Sequence, residues 1–97
     1  MTVAALKRDV CAELIGVSHA IHANPELAFH EFEAAKLLTA KLEQHDLPVT
    51  RGAFSLPTAY SSSFGPANTP EVAILSEYDA LPGIGHACGH NIIATTG

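Results

Sequence analysis

The stretch that most limits how this chain can fold runs from Val72 to Asn91, where a short apolar run leads into a loop crowded with acids, imidazoles and a thiol. Val72, Ala73, Ile74 and Leu75 have the length and composition of a buried strand. Pro82, Gly83 and Gly85 stop the segment beyond from continuing as strand or helix. Glu77, Asp79, His86, Cys88 and His90 are therefore expected on a loop past the carboxyl end of a strand, where α/β proteins usually carry their reactive side chains.

Within that loop His86, Cys88 and His90 are spaced two apart, so in a locally extended chain they would face one side and three donors would converge. Gly89 frees the backbone between Cys88 and His90, letting a thiolate and an imidazole close on one ion. Zinc in such a site lies about 2.3 Å from sulfur and about 2.0 Å from nitrogen. Cys-Gly-His alone is a weak signal, since a cysteine and a histidine this close are ordinary in loops and cores. Its company strengthens it: two carboxylates, two imidazoles and a thiol between Glu77 and His90 are hard to explain as packing, because buried polar groups without partners cost free energy.

Ninety-seven residues, 47% hydrophobic and 15% charged, suit one globular domain with a modest core and argue against disorder. A net charge of −5 with only five basic residues excludes the basic patch that nucleic acid or an anionic membrane surface requires. Small molecules or proteins remain as partners. No apolar run is long enough to span a bilayer, and Met1 to Val10 lacks the basic-then-apolar order of a secretory signal, so a cytoplasmic location is expected. Cys11 falls in a helical pattern and reads as a small core residue, which leaves a disulfide with Cys88 the weaker alternative.

From Thr2 to about His22, Leu6, Val10, Leu14, Val17 and Ile21 recur every three or four residues and predict an amphipathic helix. Asn24-Pro25 ends it, and His19 and His22 sit near its C-terminal dipole. A second helix is expected from Phe29 or His30 to about His45, with Phe32, Ala35, Leu38 and Leu42 on one face and Glu31 and Glu33 in its first turn. Glu26, just before it, reads as a solvated loop acid. Strand candidates follow at Leu47 to Phe54 and Ala59 to Phe64. The serine run Ser61 to Ser63 has no Gly-x-Ser-x-Gly setting and reads as exposed strand rather than nucleophile. Ile92, Ile93 and Ala94 look like the start of a helix with Asn91 or His90 near its N-cap. The order of elements predicts an α/β fold, with two helices and then a mixed sheet that is incomplete. No stop signal follows Ala94, so residues 1–97 read as the N-terminal portion of a larger domain.

The residues from Glu77 to Asn91 resemble the metal loop of the M20 metallopeptidase and amidohydrolase family, in the branch holding the p-aminobenzoyl-glutamate hydrolases and the M20-domain dipeptidases. His22-Ala23-Asn24-Pro25-Glu26-Leu27 is similar to that family's N-terminal His-x-x-Pro-Glu-Leu element, and the likeness spans nearly the whole chain. It implies a zinc-peptidase-like catalytic domain with Cys88 and His90 as metal ligands. Asp79 would be the catalytic-site acid that orients the site or tunes a ligand, with His86 behind the ligands. Many relatives carry Asp at the position of Asn91, and other branches carry a histidine ligand at that of Glu77, so both belong to the surroundings of the site. The reaction implied is hydrolysis of an amide bond in an N-acyl amino acid or dipeptide with two Zn or Mn ions, a downstream Glu-Glu pair supplying the base. A lid domain used for homodimer or hetero-oligomer formation is also implied. None of these later parts lies within the chain, so residues 1–97 alone are expected to be inactive. The rivals are a small metal-binding or interaction module without catalysis, and a cysteine hydrolase with Cys88 as nucleophile.

Overall fold

The computed structural model describes residues 3–97, with side chains from Arg8 onward. Helix α1 spans Val3–Ala23 and α2 spans Phe32–Gln44. Two short strands follow, β1 (Thr50–Arg51) and β2 (Tyr60–Ser61), linked through a 3-10 turn at Ala53–Ser55, and α3 covers His90–Thr96. The strands pair antiparallel, Thr50 opposite Ser61 and Arg51 opposite Tyr60.

The apolar spacing of α1 buries Val17 and Ile21 to 3% exposure each and leaves Val10 and Leu14 half-buried. The expected start at Thr2 and the inward placing of Leu6 lie outside the described residues and side chains. Cys11 is exposed and free rather than part of the core. It follows Val10 by one residue, about 100° round the helix, on the side that also exposes Ile15. The helix stops where Asn24 turns its N–H to the Ile21 carbonyl at 3.2 Å ahead of Pro25.

Helix α2 begins later than expected because Phe29 takes a left-handed backbone (φ 67), which no α-helix contains. Of its expected inner face Leu38 is buried and Ala35 and Leu42 are half-buried, while Phe32 is exposed and Ala34 and Thr39 are buried in addition. Thr39 tolerates burial because its hydroxyl donates to the Ala35 carbonyl at 2.7 Å. At the other end Asp46 is left-handed (φ 61) and Leu47 N–H returns to the Leu42 carbonyl at 3.0 Å, closing the helix. Glu13 of α1 ties the two helices by contacting Lys41 at 3.4 Å and His45 at 3.1 Å.

Val17, Ile21, Ala34, Leu38 and Ala94 form the core, drawing on all three helices, with Leu37, Tyr60 and Tyr78 packed against it. Each large member contributes about 1.5–3 kcal/mol by leaving water, so this small cluster outweighs the exposed ion pairs at about 0–1 kcal/mol apiece. The unit is an incomplete α/β domain, and its described sheet is two-stranded and antiparallel. Val72–Leu75 is the clear departure from expectation. It forms no strand, and Val72, Ile74 and Leu75 are 92%, 72% and 87% exposed. A strand needs a partner for its ladder, and among the described residues no strand pairs with this run. No described helix is long and apolar enough to cross a membrane.

Candidate metal loop

The loop is shaped by backbone pairing with a distant segment. Ala80 N–H donates to the Glu26 carbonyl at 2.7 Å, and Leu27 makes an isolated parallel bridge with Ala80. Leu81 then bridges Gly85 across a tight reversal, its N–H reaching the Gly85 carbonyl at 2.9 Å. Gly85 and Gly89 both take left-handed backbones, φ 63 and φ 75, which a side chain at either position would strain.

That curvature overturns the expectation that His86, Cys88 and His90 converge. The chain turns from His86 to Gly89, whose N–H donates to the His86 carbonyl at 3.1 Å, so the alternation of an extended strand does not apply. His86 goes inward to 7% exposure, and its ring centre lies 6.3 Å from that of His22 at the end of α1. Among the described residues neither ring nitrogen has a hydrogen-bond partner of good geometry, the Ile21 carbonyl being the nearby acceptor. Burial holds the His86 pKa below the usual histidine value, His22 and His90 adding to the effect while Asp79 and the Ile21 carbonyl oppose it. Cys88 is exposed and free.

His90 is placed differently. Its Nδ1–H donates to Asp79 Oδ1 at 2.8 Å and to the Asp79 carbonyl at 3.1 Å. An ionised carboxylate and a carbonyl can only accept, so Nδ1 carries a proton, and in the neutral ring the lone pair stays on Nε2. A carboxylate behind an imidazole is the arrangement that fixes metal-binding histidines elsewhere. Gly89 is the N-cap of α3, so His90 and Asn91 stand beside the cap, in the first turn, as expected. Asn91 points back to α1 at 6% exposure and donates to Ser18 Oγ at 3.0 Å and the Ser18 carbonyl at 3.4 Å.

Glu77 is exposed and, with Asp79, lines an open groove of about 280 Å³ that also takes in Phe29, Glu31 and Thr58; Cys88 and His90 are not in its lining. Between the two acids Tyr78 is anchored by its hydroxyl on the Thr58 carbonyl and stacks on Tyr60 at 5.9 Å. Burial, with Tyr60 and Glu31 adding, pushes the Tyr78 pKa up to about 12.

Glu26, read from sequence as a solvated acid, instead caps α2: its carboxylate accepts from Glu33 N–H at 3.0 Å and Ala34 N–H at 2.8 Å. The capping box spans three residues, whereas this cap reaches seven and eight ahead, beyond any local pattern. Ser18 carries no advance signal either, since a serine on a helix surface has no signature. Among the described residues no group of three or more His, Cys, Asp or Glu side chains gathers to hold a metal ion. Cys88 presents a thiol open to solvent, and two residues on the His90 imidazole is oriented by a carboxylate.

No family model matches the chain. It is 43% identical over 103 residues to the Xaa-Arg dipeptidase of Homo sapiens, an alignment covering 92% of this chain and 23% of that protein. Identity to the p-aminobenzoyl-glutamate hydrolase of Escherichia coli (strain K12), in its B component, is 37% over 89 residues, covering 74% of this chain and 18% of that protein. The IAA-amino acid hydrolase ILR1-like 4 of Arabidopsis thaliana is 32% identical over 108 residues, covering 94% and 23%. The chain spans less than a quarter of the length of these three relatives. Matched along most of its own length to peptidases and amidohydrolases of one kind, this chain belongs to the M20 family.

Proposed function

We propose that this chain supplies Cys88 and His90 as two ligands of a divalent-metal site in an enzyme that hydrolyses amide bonds in N-acyl amino acids or dipeptides. The observation that carries this reading is the hold of Asp79 on His90 Nδ1 at 2.8 Å, two residues from an exposed, free thiol. The names dipeptidase and hydrolase borne by its relatives support the reaction class. Thiolate and imidazole suit zinc, and carboxylate ligands from beyond these residues would favour manganese, with two ions in the complete site. When bound, such an ion polarises the amide carbonyl and lowers the pKa of water.

The chain's own residues hold and orient. Asp79 fixes the His90 ring, Asn91 pins the start of α3 to α1, and His86 fills the space behind the loop. Glu77 shares with Asp79 the lining of the open groove. Two donors are too few for such a centre, so the ninety-seven residues alone do not turn over an amide; the remaining ligands and a glutamate base come from elsewhere in the whole protein, which acts as a homodimer or hetero-oligomer. A cytoplasmic setting keeps Cys88 reduced for this role.

In the whole protein, Cys88→Ser or His90→Ala lowers amide hydrolysis by more than the roughly 10- to 100-fold expected for losing a ligand's supporting group, chelation abolishes it, and Cys11→Ser leaves it unchanged. Full activity in both ligand variants would remove the proposal. Loss on alkylating Cys88 with no effect of chelator would point instead to a cysteine nucleophile.

A further inference from the structure

Glu26 makes two kinds of contact at once. Its carboxylate takes two of the free N–H groups that open α2, those of Glu33 at 3.0 Å and Ala34 at 2.8 Å. Its backbone carbonyl takes Ala80 N–H at 2.7 Å, and the next residue, Leu27, bridges Ala80. On its other side Pro25 lies under Gly85, where an added Cβ would touch the proline ring at 3.9 Å. The segment 25–27 is therefore a short rail clamped to α2 at one edge and paired with the metal loop at the other. Ala80 follows Asp79, and Asp79 holds His90 through both its carboxylate and its carbonyl.

We infer that Glu26 is a positioning residue for the metal loop: by capping α2 it fixes the segment that sets Ala80 and Asp79, and through them the tautomer and direction of His90. The inference rests on the reading of His90 as a ligand given under Proposed function, but its first consequence does not need a metal. With the clamp in place, Asp79 keeps the proton of neutral His90 on Nδ1 and leaves Nε2 bare. Without it the rail loosens from α2, Asp79 shifts, and the ring is free to move its proton to Nε2.

The test is long-range proton–nitrogen NMR of the metal-free whole protein, labelled at its histidine nitrogens, at about pH 8, above the ordinary histidine range, followed by cobalt(II) titration of the same samples. His90 in the unaltered chain is expected as the Nδ1–H tautomer. Glu26→Ala should shift it toward Nε2–H and weaken cobalt affinity about 10-fold, the lower end for a ligand's supporting groups. Glu26→Gln keeps one acceptor oxygen and should shift both readings less, in the same direction; it carries the test if the alanine variant does not fold. Leu38→Ala, which loosens the core without touching the rail, should leave the His90 tautomer unchanged in the folded chain. Parent-like tautomer and affinity in folded Glu26 variants would overturn the inference, as would an equal shift in Leu38→Ala. An unaltered whole protein that binds no cobalt while Glu26→Ala still frees the tautomer would uphold the positioning link and remove the ligand reading instead.

Discussion

Replacing Asp79 separates the charge it contributes from the orientation it imposes. His90 Nδ1–H has two acceptors, Asp79 Oδ1 at 2.8 Å and the Asp79 backbone carbonyl at 3.1 Å, and a substitution removes only the first. Asn at this position keeps a carbonyl oxygen for the ring, so Asp79→Asn loses charge and little else. A hydrogen bond to a charged group is worth about 1.5–3 kcal/mol against about 0.5–1.5 for a neutral one. The two side chains are 24% and 33% exposed, so solvent screens part of that gain, and the low end of the difference, about 1 kcal/mol, is appropriate. The expected result is a roughly fivefold weaker metal affinity for Asp79→Asn, since about 1.4 kcal/mol is tenfold. Asp79→Ala also frees the ring to turn and should approach the roughly 100-fold upper end seen for supporting groups of metal histidines. Cobalt(II) binding in competition with a chelator of known affinity measures both. Parent affinity in Asp79→Ala, or a larger loss in Asn than in Ala, would refute the reasoning.

Asn91→Asp replaces a donor at 6% exposure by a carboxylate that must face the Ser18 carbonyl, an acceptor; a loss of about 1–3 kcal/mol in unfolding free energy by urea titration is expected, and unchanged stability would contradict the assigned contact. Tyr78 is held protonated up to about pH 12 and Tyr60 is also raised by burial, so absorbance at alkaline pH should show well under half the tyrosinate expected at pH 10. Because the folded pKa lies above the ordinary value, the stabilisation is complete below pH 10 and is lost as pH climbs from 10 towards 12; ordinary titration at 10 would contradict it. Both cysteines are exposed, so both should react with an alkylating reagent, and added zinc should slow Cys88 but not Cys11. Equal protection, or none, would count against Cys88 as a ligand.

The helices were legible because their cause is local. Apolar spacing along α1 and the stops at Pro25 and Leu47-Pro48 need no knowledge of the rest of the chain. How far the inner face of α2 extends is not local: Thr39 can enter the core only because its hydroxyl finds the Ala35 carbonyl, and no pattern of apolar residues announces that. Val72–Leu75 reads as a strand from composition, yet a strand is a property of pairs, and no strand pairs with it among the described residues.

The site was legible in its residues and less so in its shape. Two-residue spacing places His86, Cys88 and His90 together only in an extended chain, and the glycines that make the sequence distinctive are the ones that bend it. His86 is drawn into contact with α1 as a result. The pairing of Asp79 with His90 across eleven residues, and the link from Glu26 to Ala80, depend on the loop folding back and could not be read from spacing.

X-ray absorption of the zinc-loaded chain reports directly on the central claim, that the sulfur of Cys88 and a nitrogen of His90 bind the same ion. One sulfur neighbour at about 2.3 Å and nitrogen or oxygen neighbours at about 2.0 Å are expected, the sulfur disappearing in Cys88→Ser while it persists in Cys11→Ser. A zinc environment with no sulfur in the unaltered chain, or one indifferent to both Cys88→Ser and His90→Ala, would contradict it.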